Sequence, residues 1–295
     1  MVKIPNHQQA DIVALYRLFS LTYPIRNIMW LFMRIVILLS RRRIIIVNGF
    51  SRSGTTMLGE FLGFAPGSVY IHECVKQVLQ HQSEVKNIHK EDFWNHYLGD
   101  TDSSEKVHAL VCSILYFLIK APGGISMLVI KPGLFQTAMP AFERKFGFLL
   151  QVYISRHPCG YIDSLIRQQK LHRSDEIIFS KDRITTMAAK WARHILQALE
   201  CSGKRPHWIW IRFETLSGNP IPEFRKLYSL LELDFTGEVM EKIINFTTSG
   251  DGKFYEPRRN AATQAEKWKV NLDASQIETI RLETIKVNTG LYDGF

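Results

Sequence analysis

The stretch Ile44–Phe64, IIIVNGFSRSGTTMLGEFLGF, decides the fold. Its β-branched opening lacks polar alternation, as in a strand buried on both faces of a parallel sheet. Gly49 and Gly54 follow at a spacing of five, then the hydroxyl residues Thr55 and Thr56, then a helical pattern from Thr56 to Gly63. In a strand, glycine-rich turn and helix arranged this way, successive backbone N–H groups and the positive end of the helix dipole can cradle a phosphate. The familiar phosphate-loop pattern, G-x-x-x-x-G-K-[ST], puts lysine where this chain has Thr55. The nearest cation is Arg52, inside the loop.

Other runs read like the first. MLVIKPG from Met127, FLLQVYISRHP from Phe148 and HWIWIRFE from His207 are strand candidates of the same buried kind. Helical stretches lie between and after them at Val107–Lys120, Gly160–Lys170, Thr185–Cys201 and Ile221–Leu231. Alternating strands and helices predict an α/β fold, a central parallel sheet flanked by helices, of the P-loop nucleotide-hydrolase kind. In such sheets ligands bind beyond the carboxyl ends of the strands, which directs attention to the residues just after each one. The reading divides the chain into an N-terminal helical segment, 1–43, and a main domain, 44–295.

A chain of 295 residues, 46% of them hydrophobic, can bury a full core. The formal net charge of +9 favours anionic partners such as nucleotides, sulfated or phosphorylated substrates and acidic lipid surfaces. Nucleic acid is disfavoured, because neither a recognised reading module nor interleaved aromatic and basic residues are present. Cys74, Cys112, Cys159 and Cys201 are scattered, with no C-x-x-C pair, so neither a zinc site nor a disulfide framework is expected, and free thiols suit the cytoplasm. The apolar run Asn27–Ser40, NIMWLFMRIVILLS, is interrupted by Arg34 and followed by Arg41, Arg42 and Arg43. It is too short for a membrane span. Residues 11–40 read as helices, either packed on the domain or lying in a membrane interface, which would make the protein peripheral to a membrane.

Without its lysine the loop suits a less charged transferring group than a nucleoside triphosphate's γ-phosphate. In triphosphate enzymes that lysine reaches the β- and γ-phosphates and the hydroxyl residue helps to hold Mg²⁺. A sulfuryl group leaving a phosphosulfate asks for one cation near the bridging oxygen and no metal, and Arg52 is placed for it.

GFSRSGTT resembles the 5′-phosphosulfate loop of sulfotransferases that use 3′-phosphoadenosine 5′-phosphosulfate (PAPS) as co-substrate, in which G-x-x-[RK]-[ST]-G-[TS]-[TS] follows the first strand. The resemblance implies that Gly49, Arg52, Ser53, Gly54, Thr55 and Thr56 bind the cofactor's 5′ end, with Arg52 on the bridging oxygen. A second match is YISRHPCGYIDSLIRQ, in which Arg156, Pro158 and Ser164 stand at the spacing of the family's 3′-phosphate segment. VIKPG, with Lys131, resembles a strand end of the family, and EKWKVNL, with Lys267, resembles its cofactor-closing segment. Trp191 and Glu214 fall where members carry a tryptophan and an element with a structural glutamate. The resemblance covers about Ile44–Phe295.

Sulfuryl transfer to a hydroxyl needs a proton acceptor near Arg52. SVYIHEC reads as a second strand ending at His72 and Glu73, and some members carry a catalytic glutamate or histidine at this distance. Adjacent strand residues point to opposite faces, so Glu73 is the expected base, with His72 the alternative and Lys131 stabilising charge. The acceptor, a glycan, glycolipid or other hydroxyl, is expected to meet loops at Val75–Ser104 and Leu171–Arg183, where Phe93, Trp94 and Tyr97 could stack on it. Two other readings compete: an ATP- and Mg²⁺-dependent phosphotransferase, and a non-enzymatic nucleotide-binding protein on a membrane.

Overall fold

A computed structural model describes residues 6–20, 26–85, 103–133, 135–169, 180–203, 205–248, 265–287 and 290–292. In chain order these form α1 (Asn6–Ser20), α2 (Arg26–Leu39), β1 (Arg43–Gly49), α3 (Thr55–Leu62), β2 (Ser68–His72), α4 (Cys74–Val85), α5 (Ser103–Lys120) and β3 (Met127–Lys131). They continue as α6 (Met139–Phe146), β4 (Leu150–Ser155), α7 (Pro158–Gln169), α8 (Lys181–Ser202), β5 (Trp208–Arg212) and α9 (Phe213–Gly218). The chain closes with α10 (Pro220–Leu230), α11 (Gly237–Thr248), α12 (Trp268–Asn271) and α13 (Ala274–Ile285). The expected α/β architecture is present, a five-stranded parallel sheet with flanking helices. All four cysteines are free.

The strand order is β2-β3-β1-β4-β5. β3 lies parallel between β1 and β2, pairing Ile45 with Val129 on one side and His72 with Lys131 on the other. From β1 the chain crosses toward one edge, and from β4 toward the other. The crevice that such a reversal opens lies past the carboxyl ends of β1 and β4. Those ends carry the glycine loop and Arg156.

The chain forms two compact units. The first comprises Met1–Asn48, Leu62–Val152 and Pro206–Ile209, and every strand begins in it. Ile44, Ile45, Ile46 and Val47 are buried there without a break, as a strand covered on both sides must be. One core joins β1 and β3 to Cys74, Val75, Val78 and Leu79 of α4 and to Leu110, Val111 and Ile114 of α5. Ile12, Val13 and Tyr16 of α1 and Trp30, Met33 and Ile37 of α2 pack into the same core. Within 11–40, residues 11–20 and 26–39 are therefore helical, as expected, and one face of each helix is packed.

The second unit comprises Gly49–Phe61, Tyr153–Arg205 and Trp210–Phe295. It holds the glycine loop, α3, the ends of β4 and β5, and α7 onward. Phe61 of α3 packs its ring 4.7 Å from Phe224 and 4.9 Å from Phe246, tying α3 to α10 and α11. β5 differs from the sequence reading. Trp208–Ile211 are only half-buried, because β5 lies at the sheet edge.

Candidate active site

In the second unit the chain leaves β1 through a turn that only glycine can make at two positions. A Cβ on Gly49 would stand 2.5 Å from the Ile154 carbonyl oxygen and 2.8 Å from Thr55 Cγ2. Gly54 has φ +92°, and a Cβ there would meet the Phe213 ring at 2.6 Å. Arg52 is itself left-handed, with φ 65°. Left-handed residues alternating with ordinary ones turn successive N–H groups toward one point, the geometry of an anion nest. Ser53 is wholly buried, and its Oγ has no hydrogen-bond partner among the described residues. A buried hydroxyl left so is costly unless a ligand satisfies it, and a phosphate oxygen would. The loop thus fits the 5′ end of the nucleotide that the sequence implies.

The second segment meets this loop. Arg156 follows β4, and Ser164 stands near the middle of α7. Arg52 Nε donates to Ser164 Oγ at 3.2 Å, and Arg156 Nη1 donates to the Arg52 carbonyl at 2.9 Å. The guanidinium of Arg156 lies 4.4 Å over the Phe213 ring. Burial pushes Arg156 down to about 10 against the opposing pull of Glu214, so it remains a cation at neutral pH. The family resemblance implies that Arg156 and Ser164 stand at the far end of a nucleotide from the loop. Here they grip the loop itself.

Trp191, on α8, donates from Nε1 to the Arg156 carbonyl at 3.1 Å, so the tryptophan fixes the strand end. Glu214 accepts from the His157 backbone N–H at 2.8 Å and from the Tyr292 hydroxyl at 3.3 Å, a structural tie. Trp268 stacks flat on His157, 4.7 Å between ring centres. Half-buried Lys267, one residue earlier, is thereby held beside the start of α7. Nothing local in the sequence marks Phe213 or Tyr292 as supports of Arg156 and Glu214.

In the first unit the residues expected to move the acceptor's proton form a cluster of their own. Glu73 Oε1 receives Lys131 Nζ at 2.8 Å and Oε2 receives Lys76 Nζ at 2.7 Å. Lys131 ends β3 directly beside His72. β2 ends at His72, and Glu73 turns left-handed, φ 48°, ahead of α4. The rule that strand neighbours face opposite ways therefore does not apply to this pair. His72 Nε2 lies 3.9 Å from Glu73 Oε1, while His72 Nδ1 pairs with the Tyr70 hydroxyl at 2.9 Å. Lys76 was legible as a helix neighbour three residues from Glu73, but the sequence reading did not use it. The loop segments 86–102 and 170–179, with Phe93, Trp94 and Tyr97, lie outside the described residues.

Burial pushes the Glu73 carboxyl up, but the Lys131 and Lys76 ammoniums outweigh it and hold the group at about 2 instead of 4.5. A group lowered on folding stabilises the fold above its unfolded value and loses that contribution as pH falls through its folded one. The difference corresponds to about 3 kcal/mol, all of it present at neutral pH and lost between about pH 4.5 and about pH 2. Urea unfolding across that window should show the midpoint falling in the parent chain, with a flatter profile in Glu73→Gln. An equally steep profile in the variant would locate the acid-sensitive group elsewhere.

Residues 150–283 match the family model for the sulfotransferase domain. No curated protein matches the chain by sequence. Among solved structures, the chain is similar to the sulfotransferase domain of the Synechococcus PCC 7002 olefin synthase, with 16% identity, TM-score 0.56, and coverage of 86% of this chain and 96% of that one. It is also similar to the sulfotransferase STF9 of Mycobacterium avium, with 14% identity, TM-score 0.55, and coverage of 88% and 79%. Likeness at that identity speaks for the fold. The family model spans β4 to α13, less than half of the chain, and the fold around it is similar to that of these solved sulfotransferases.

Proposed function

We propose that the chain transfers the sulfuryl group of PAPS to a hydroxyl on a glycan or glycolipid. The donor supplies an activated S–O bond, and its cleavage releases adenosine 3′,5′-bisphosphate. The observation that carries the reading is the hydrogen bond between Arg52 and Ser164, 112 residues apart, which joins both cofactor segments in one unit. Arg52 lays its guanidinium on the bridging oxygen, where charge develops as the S–O bond breaks. Ser53, Gly54, Thr55 and Thr56 hold the 5′-phosphate with N–H and hydroxyl donors. Arg156 and Ser164 turn from the loop to the 3′-phosphate, and Lys267 adds a cation to the nucleotide.

In the first unit Glu73 is the group that takes a proton, kept ionised by its two lysines. A carboxylate held at about 2 is a weak base, so His72 is the alternative. The acceptor class rests on the net charge of +9 and on the apolar surface of α2.

Transfer of radiolabelled sulfate from PAPS across a panel of glycans, glycolipids, phenols and small alcohols tests the proposal. Labelled glycolipid or glycan is expected, with or without a chelator. ATP-dependent, chelator-sensitive phosphorylation with no sulfate transfer would sink it. Glu73→Gln should lower turnover by about a hundredfold or more. Undiminished turnover there, with loss in His72→Gln, moves the base to His72.

A further inference from the structure

Helix α2 is apolar on two sides. Trp30, Met33 and Ile37 face the core, each at most 6% exposed. Leu31, Phe32, Ile35, Leu38 and Leu39 are between 45% and 76% exposed. Their spacing of one, four, seven and eight residues from Leu31 makes them one continuous stripe along the outer side. Soluble monomers seldom leave so large an apolar stripe bare.

Two features select the occupant. The first is length: 14 residues span about 21 Å, short of the hydrocarbon layer of a bilayer. Among the described residues no helix is long and apolar enough to cross a membrane. A helix lying in the plane of the interface needs no such length. The second is charge, since residues 12–59 contain no aspartate or glutamate at all. Arg34 is exposed beside the stripe, and Arg41 and Arg43 are exposed just past its end. Between them Arg42 donates to the carbonyls of Leu118, Ala121 and Ile125, tying the end of α2 to the end of α5. That brings Ile119, 69% exposed, and exposed Lys120 to the same margin. An apolar protein face would satisfy the leucines and leave the arginines without counter-charge. A bilayer with anionic headgroups satisfies both.

We propose that the outer face of α2 docks on an anionic phospholipid surface, with Leu31, Phe32, Ile35, Leu38 and Leu39 among the acyl chains and Arg34, Arg41 and Lys120 at the headgroups. This stands independently of the sulfuryl-transfer reading.

The test is co-sedimentation of the full chain with phosphatidylcholine vesicles, with and without phosphatidylserine, together with its sedimentation velocity in their absence. Binding to the phosphatidylserine vesicles is expected, weakening with salt. Phe32→Glu/Leu39→Glu should reduce it at least about tenfold with the thermal unfolding transition retained, since both positions are exposed. Arg34→Gln/Arg41→Gln should reduce it by about fivefold per arginine, with no effect on phosphatidylcholine vesicles. Absence of binding by the parent chain, or equal binding by the glutamate variant, overturns the proposal. So does a parent dimer that the glutamate variant dissociates without any vesicle binding, which would assign the face to a second copy of the chain.

Discussion

Arg52→Ala is expected to lower kcat/KM for sulfuryl transfer by about a thousandfold or more, the scale on which a single cation at a developing charge acts. The loss should be in the chemistry, because Arg52 is the only arginine or lysine between Arg43 and Lys76. A control separates side chain from backbone. Arg52 sits at φ 65°, where glycine is at ease and alanine is not. Arg52→Gly relieves about 1 kcal/mol of left-handed strain and loses a similar amount to the greater freedom of its unfolded chain. Its urea midpoint should therefore stay close to the parent's while transfer is lost. Kinetics with radiolabelled PAPS beside unfolding curves read both quantities. Full activity in either variant would remove Arg52 from the reaction.

Gly49→Ala should be the most damaging one-methyl change in the loop. The new Cβ would meet a backbone carbonyl oxygen, Ile154 O, at 2.5 Å, with Ile154 Cγ2 at 2.9 Å. Neither β1 nor β4 can yield without breaking the ladder that holds it, so about 3 kcal/mol of stability and donor binding should go together. Gly237→Ala is the matched control, because nothing lies within 4 Å of its Cβ. There, in the first turn of α11, alanine should be neutral or stabilising by up to about 1 kcal/mol. Urea unfolding and calorimetric titration with adenosine 3′,5′-bisphosphate measure the contrast. Equal behaviour of the two variants would mean that the loop tolerates a shift of strand β4.

The five strands were legible because each is a consecutive run, and burial of a run depends first on its own residues. β5 was misread for a reason the run does not contain. Trp208–Ile211 are as apolar as β1, but among the described residues no strand pairs with the far side of β5. Glu73 shows the same limit at one residue. Period-two reasoning separated it from His72, and a single left-handed φ at Glu73 turned both side chains into one cluster.

By itself the sequence determined the strand-turn-helix unit at Ile44–Leu62 and the glycine spacing of its loop, and it carried the two motifs whose resemblance points to a family. Those are properties of dihedral preference and periodicity, and they are carried by neighbours in the chain. Tertiary structure alone decided that Ser164 reaches Arg52, that Lys131 joins Lys76 on Glu73, and which side of α2 is left outside. Each of these depends on groups folded together from separate parts of the chain, or on what a face is packed against, and residue order does not record either.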